Sequence, residues 1–146
     1  MEFEVSRVDV WAGELEDRPG ALASKLANLI MLAQANLEFI VARPIHDQPG
    51  RGVLFVAPLT GPEQTRAAAE SGLSKAERMH VVRLSGPDRP GLAAGIAGTL
   101  AHDDLNVVGV TAAAVDGRVL MYLRFADEKD ADAAAVVLRV ELNQVP

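Results

Sequence analysis

The sequence predicts an α+β protein of two repeats with antiparallel sheets, and three observations carry that prediction. The tetrapeptide Asp-Arg-Pro-Gly occurs twice, at Asp17–Gly20 and Asp88–Gly91, each time just ahead of an apolar helical run. The same order of elements surrounds both copies. In the second copy Asp116-Gly117 lies between two β-rich runs, and this is the preferred pair for a two-residue type I′ hairpin turn. Self-similarity of this kind marks a duplicated unit.

In chain order, a strand-like run opens each repeat, Val8–Ala12 in the first and His80–Leu84 in the second. After the tetrapeptide, Leu22, Leu26, Leu29, Ile30 and Ala33 recur at helical spacing, as do Leu92, Ile96, Thr99 and Leu100. Asn36 and Asn106 follow these helices, with strands at Leu37–Val41 and Val107–Val110. The first hairpin turns through His46–Gly50 and returns along Gly52–Pro58; the second returns along Arg118–Phe125. An alanine-rich helix follows each hairpin, Pro62–Ser71 stopped by Gly72, and Asp127–Leu138. The first repeat has room for a fourth strand at Leu73–Glu77. In the second, Leu138–Leu142 reads equally as a short strand or as further helix, so its last strand stays open. The order is that of two ferredoxin-like βαββαβ units, residues 1–77 and 78–146, each an antiparallel sheet with both helices on one face.

Composition bounds the function. Hydrophobic residues at 49% and charged residues at 23% are those of a globular chain. A net charge of −6 argues against direct binding to nucleic acid or an anionic membrane, because no basic footprint exists. The chain has no cysteine, which excludes disulfides and thiolate chemistry. Met-Glu-Phe-Glu is no secretory leader, and the uncharged run Leu26–Leu37 is shorter than the roughly 20 residues a membrane helix needs. A cytoplasmic protein is expected.

Asp17-Arg18-Pro19-Gly20-Ala21-Leu22 with Asn36, and Asp88-Arg89-Pro90-Gly91-Leu92 with Asn106, each set between a strand and an apolar helix, resemble the ACT domain family. The resemblance covers nearly the whole chain. It implies small regulatory modules that bind amino acids or related metabolites and pair side by side. Ligand would sit near the turn from first strand to first helix, at the seam with a neighbour, and the residues just named are the ligand-binding candidates. Neither copy carries the longer Gly-rich turn of some amino-acid-sensing members, which leaves the ligand open.

The same letters have a purely structural reading. Asp17 and Asp88 suit N-caps, Pro19 and Pro90 suit a first helical turn, and Gly20 and Gly91 would allow close backbone approach. A helix N-terminus with free amides is also a seat for an amino-acid carboxylate, with Asp17 or Asp88 for its ammonium and Leu22 or Leu92 for its side chain. Arg18 and Arg89 read as solvated or paired with neighbouring carboxylates, Glu16 for the first. Asn36 and Asn106 suit left-handed helix ends.

Other candidates fail. His46, His80 and His102 share no spacing, and the serines have no base at a recognisable interval. Gly91, Gly95 and Gly98 do not match the dinucleotide fingerprint, and close packing of helix on sheet accounts for the latter two. The acidic run Asp127–Asp130 opens a helix and lacks a calcium loop's pattern. No catalytic residue, metal or cofactor is expected. The expected function is a non-enzymatic sensor of a small amino acid, acting on its own assembly as a homodimer or on a partner enzyme or transcriptional regulator. A ligand-free interaction scaffold and a small enzyme on the same fold are the alternatives.

Overall fold

The computed structural model describes residues 2–144, apart from the side chains of Ile30 and Leu32, so the expected burial of Ile30 lies outside the described residues. The elements are β1 (Glu4–Val8), β2 (Trp11–Glu16), α1 (Ala21–Ala33), β3 (Phe39–Pro44), β4 (Arg51–Ala57), α2 (Gly61–Glu70) and β5 (Leu73–Lys75). They continue as β6 (His80–Pro87), α3 (Leu92–His102), β7 (Val107–Val115), β8 (Arg118–Phe125) and α4 (Glu128–Leu142).

Two units form. Residues 9–76 make one, with the antiparallel sheet β3-β4-β2-β5 and helices α1 and α2. Alternate residues of β4, Gly52, Leu54 and Val56, are buried, the period of two that a half-covered strand requires. Leu54 and Val56 pack with Leu29, Ala33, Ala68 and Leu73 in this unit's core.

The other unit joins residues 1–8 to 77–146, with strand order β1-β6-β8-β7. Here the structure closes the question of the last strand. Leu138–Leu142 continues α4, and the missing strand is β1, antiparallel to β6 from Glu4 opposite Ser85 to Val8 opposite Val81. The expected opening strand Val8–Ala12 is therefore cut in two, Val8 ending β1 in one sheet and Trp11 starting β2 in the other. Alternation explains the placement. Phe3 and Val5 are buried in this unit's core with Leu84, Met121, Leu123 and Leu138, whereas Glu4 and Ser6 are exposed.

Local signals set the remaining boundaries. Asp116 and Gly117 both take positive φ, 51° and 76°, between paired Val115 and Arg118, as the type I′ turn demands. The Asp127 side chain caps α4 by accepting from the Asp130 N–H at 2.8 Å. Helix α3 ends in a Schellman arrangement: left-handed Asp104 donates to the Ala101 carbonyl at 3.0 Å, and Leu105 donates to the Leu100 carbonyl at 2.8 Å. The left-handed residues after the leading helices are thus Gln34 and Asp104, with φ of 54° and 57°, rather than Asn36 and Asn106.

Packing does not explain Gly95 and Gly98. Both are exposed, and a Cβ added at either would meet nothing within 4 Å. They lie on the outer face of α3, where glycine only adds freedom to the unfolded chain. Gly98→Ala should therefore raise the unfolding free energy by about 1 kcal/mol, read as a higher urea midpoint at unchanged slope.

Candidate functional site

Each Asp-Arg-Pro-Gly leads from a strand into a helix, β2 into α1 and β6 into α3, through the same hydrogen bonds. The Ala21 N–H donates to the Arg18 carbonyl at 3.3 Å, and the Leu92 N–H donates to the Arg89 carbonyl at 3.2 Å. Proline holds the second place of this β-turn and glycine the third, with φ of +88° at Gly20 and +81° at Gly91, the type II geometry. The Asp17 and Asp88 amides donate to the Gly50 and Gly117 carbonyls at 3.0 and 2.8 Å, which ties each turn to its hairpin.

This geometry revises three expectations. Gly91 itself stands at the N-cap of α3, without a side-chain cap, so Asp88 lies too early to reach the first-turn amides; Asp17 has the same place before Gly20. The prolines precede the helices as turn residues. A Cβ at Gly91 would meet nothing within 4 Å, so positive φ, and no close approach, is what requires glycine.

The arginines differ. The Arg18 guanidinium bonds Glu16, and that hydrogen bond together with the arginine's charge holds the Glu16 carboxyl below the usual carboxylate range. Arg89 pairs with no carboxylate among the described residues; its guanidinium lies over the Phe3 ring, 5.4 Å from the centroid.

A cleft of about 610 Å³ opens in the first repeat, walled by β2, the start of α1 and the end of α2. Of the candidates, Arg18 and Ala21 line it. The Lys25 ammonium crosses it to donate to the Ser71 carbonyl, at the C-cap of α2. Three carboxylates, Glu14, Glu16 and Glu70, face three cations, Arg18, Lys25 and Arg51. Arg18 is paired with Glu16 and Arg51 with Glu14; among the described residues Lys25 and Glu70 form no ion pair. A depression of about 170 Å³ takes Asp17, Arg18 and Leu22 with Arg43 and Pro44 of β3. Pro19, Gly20 and Asn36 line neither hollow.

In the second repeat the corresponding place is taken by buried apolar side chains. A cleft of about 410 Å³ in that repeat lies elsewhere, against Arg83, Ser85, Val115 and Leu120, and touches none of Asp88, Arg89, Pro90, Gly91, Leu92 or Asn106. Matching the repeats through their turns explains the difference. Ala21 corresponds to Leu92, and one helical turn on Lys25 corresponds to Ile96. Leu73 opposite Gly13 corresponds to Val5 opposite Leu84, so Ser71 takes the place of Phe3. Leu92, Ile96 and Phe3 are all buried in one core. Alanine, lysine and serine in their places hollow the same site and make it polar.

Lys25, Ser71, Arg51 and Glu70 escape a reading of the sequence that looks only at the tetrapeptide. The available signal is Lys25 itself, which interrupts the row Ala21, Lys25, Leu29 whose counterparts Leu92, Ile96 and Leu100 are all apolar. His46, His80 and His102 stand in a turn, a strand and a helix end, and no group of three or more His, Asp or Glu among the described residues could hold a metal ion. No helix among them is long and apolar enough to cross a membrane.

Two four-stranded antiparallel sheets, each with a type II turn leading into its first helix, define a tandem βαββαβ module. Residues 78–142 match the model of the ACT domain family. Over those residues the second repeat is similar to ACT domains, and the first repeat has the same order of strands and helices around its own turn. A solved protein from Bacteroides thetaiotaomicron superposes with a TM-score of 0.74 at 18% identity, over 92% of this chain and 88% of that one. The ligand-free regulatory subunit of aspartate kinase from Thermus thermophilus gives 0.59 at 15% identity, over 95% of each chain. Its counterpart from Thermus flavus gives 0.54 at 19%, also over 95% of each. At these identities the likeness is one of fold. A search of curated protein sequences gives no match.

The Glu16–Arg18 pair yields a direct test. Because the folded-state pKa of Glu16 lies below its unfolded value, any stability the pair adds is present above the unfolded value and is lost as pH falls through the folded one. Arg18→Ala should return the Glu16 titration to the ordinary glutamate range, as followed by carboxyl carbon-13 shifts; an unmoved midpoint contradicts the pairing.

Proposed function

We propose that this protein is a non-enzymatic regulator that senses a small amino acid or related metabolite in its first repeat, in the cleft beside the Asp17–Gly20 turn. The observation behind this reading is a charge-balanced hollow in a place that the second repeat fills with apolar side chains. A zwitterion suits it. Lys25 has spare donors for a carboxylate, the positive end of α1 adds to it, and Glu70 can take an ammonium. A phosphorylated ligand would want net positive charge, which six balanced groups do not provide.

Thermal-shift measurement against the twenty amino acids tests the reading. Ligand at 100 times its dissociation constant adds about 2.7 kcal/mol, a rise of roughly 5–10 °C. Lys25→Ile, which copies the second repeat, should abolish that shift and leave the fold intact. No shift from any amino acid at millimolar concentration, or an unaltered shift in Lys25→Ile, contradicts it.

The output of sensing is a change in assembly, or in contact with a partner enzyme or transcriptional regulator, and a ligand drives such a change only by its differential affinity for the two arrangements. The regulatory subunits that share this fold are in keeping with an enzyme partner. A homodimer is the assembly favoured here, through β7. That edge strand runs Val107–Val115 without a charged residue, and Val110 and Val115 are 60% and 68% exposed. The other edges are blunted, by Arg43 and Pro44 in β3, by Glu4 and Arg7 in β1, and by the three-residue length of β5. The double variant V110K/V115K should run as a monomer on size exclusion with light scattering, against a wild-type dimer; a monomeric wild type refutes the dimer alone.

A further inference from the structure

The geometry points to a masked aromatic pocket in the second repeat, whose resident ligand is the chain's own Phe3. The ring is 0% exposed. It rests on Gly86, where an added Cβ would stand 2.3 Å from the ring's Cδ1, so only glycine leaves room for it. Arg89, from the Asp-Arg-Pro-Gly turn, covers the ring at 5.4 Å. The backbone of this residue is read as well. The Asn143 side-chain amide accepts from the Phe3 N–H at 2.9 Å and donates to the Phe3 carbonyl at 3.1 Å.

Ring, guanidinium lid and bidentate amide are the contacts a receptor makes with an N-acylated aromatic amino-acid amide. Elsewhere β1 is held by backbone pairing to β6, by Arg139 on the Val5 carbonyl at 2.9 Å and by Arg7 on Asp132. The occupant is thus the end of a five-residue edge strand with a single strand neighbour. An aromatic amide of matching shape fills the pocket once the Phe3 ring is removed. The site is the second-repeat counterpart of the first-repeat cleft, but its lining is apolar and aromatic where the cleft is charged, and its test does not require that cleft to bind an amino acid.

The probe is N-acetyl-L-phenylalanine amide, applied to the full-length chain and its variants. Phe3→Ala should melt roughly 10 °C or more below wild type, the loss expected for emptying a buried aromatic site. Addition of 10 mM probe should restore several degrees to Phe3→Ala. It should do nothing to wild type, whose own ring occupies the pocket, and N-acetyl-L-alanine amide should do nothing to either. Gly86→Ala provides the geometric control: it should destabilise wild type strongly but Phe3→Ala hardly at all, because the clashing ring is then gone. If Phe3→Ala lacks a cooperative melt, Phe3→Val, which keeps an apolar side chain at that place, takes its part in each comparison. An equal shift in wild type, no shift in either variant, or additive effects of Gly86→Ala and the Phe3 substitution would overturn the assignment. The amino-acid screen of the first-repeat cleft is read with Phe3 intact, so the two proposals fail separately.

Discussion

The pairing of β1 with β6 is the contact on which the second unit depends. A sheet with helices on one face must present apolar side chains along every strand beneath those helices, and β6 sits in the interior of the order β1-β6-β8-β7. Without β1, one side of β6 would be an open edge of unpaired amides and carbonyls. The core would lose Phe3 and Val5, and burying each such side chain is worth about 1.5–3 kcal/mol. Asn143 and Arg139, at the end of α4, bond the β1 backbone at Phe3 and Val5, so the last helix and the first strand fasten each other. The price is topological: this unit is complete only when chain segments separated by residues 9–76 have met. Bringing such distant segments together costs loop-closure entropy, and non-local pairing of this kind slows folding.

That constraint separates what the sequence reveals from what it hides. The turn at Asp116-Gly117, the cap at Asp127 and the strand-to-helix turns at Asp17–Gly20 and Asp88–Gly91 are decided by neighbours within a few residues, and each is legible in the letters. The partner of a strand is not. Val8–Ala12 looks like one β run because Val8, Val10 and Trp11 suit a strand; the two sheets divide it at Asp9-Val10. The same limit applies to Leu138–Leu142, whose helical state follows from there being another strand to take the vacant place beside β6. Asp17 and Asp88 carry a different lesson. Their letters fit an N-cap, but the type II turn shifts the helix start to Ala21 and Leu92, and the aspartates serve through their backbone amides.

The candidate site was half legible for a related reason. A tetrapeptide marks where a loop lies, and Arg18 and Ala21 do line the first-repeat cleft. What makes the cleft is the removal of bulk at core positions, and absence of bulk has no motif. Ala21, Lys25 and Ser71 are unremarkable singly; they gain meaning only when set on Leu92, Ile96 and Phe3 of the other copy. The internal repeat is therefore worth more as a control than as a signature, since it supplies the filled version of the same site within one chain.

The two fillings also bear on stability. The second unit spends three large apolar side chains where the first has alanine, lysine and serine, and each lost Leu, Ile or Phe contact is worth about 2–5 kcal/mol in a core that cannot collapse to compensate. Lysine bonding a carbonyl recovers only part of such a loss, because a hydrogen bond to a charged group nets about 1.5–3 kcal/mol. At these three positions the first unit lacks apolar packing that the second has, and a small molecule that supplied such contacts would stabilise it by mass action. Within one fold, the place that the second copy fills with apolar side chains is left hollow and charged in the first. Three side chains hollow the site, while the spatial order of strands and the type II strand-to-helix turns are alike in the two units.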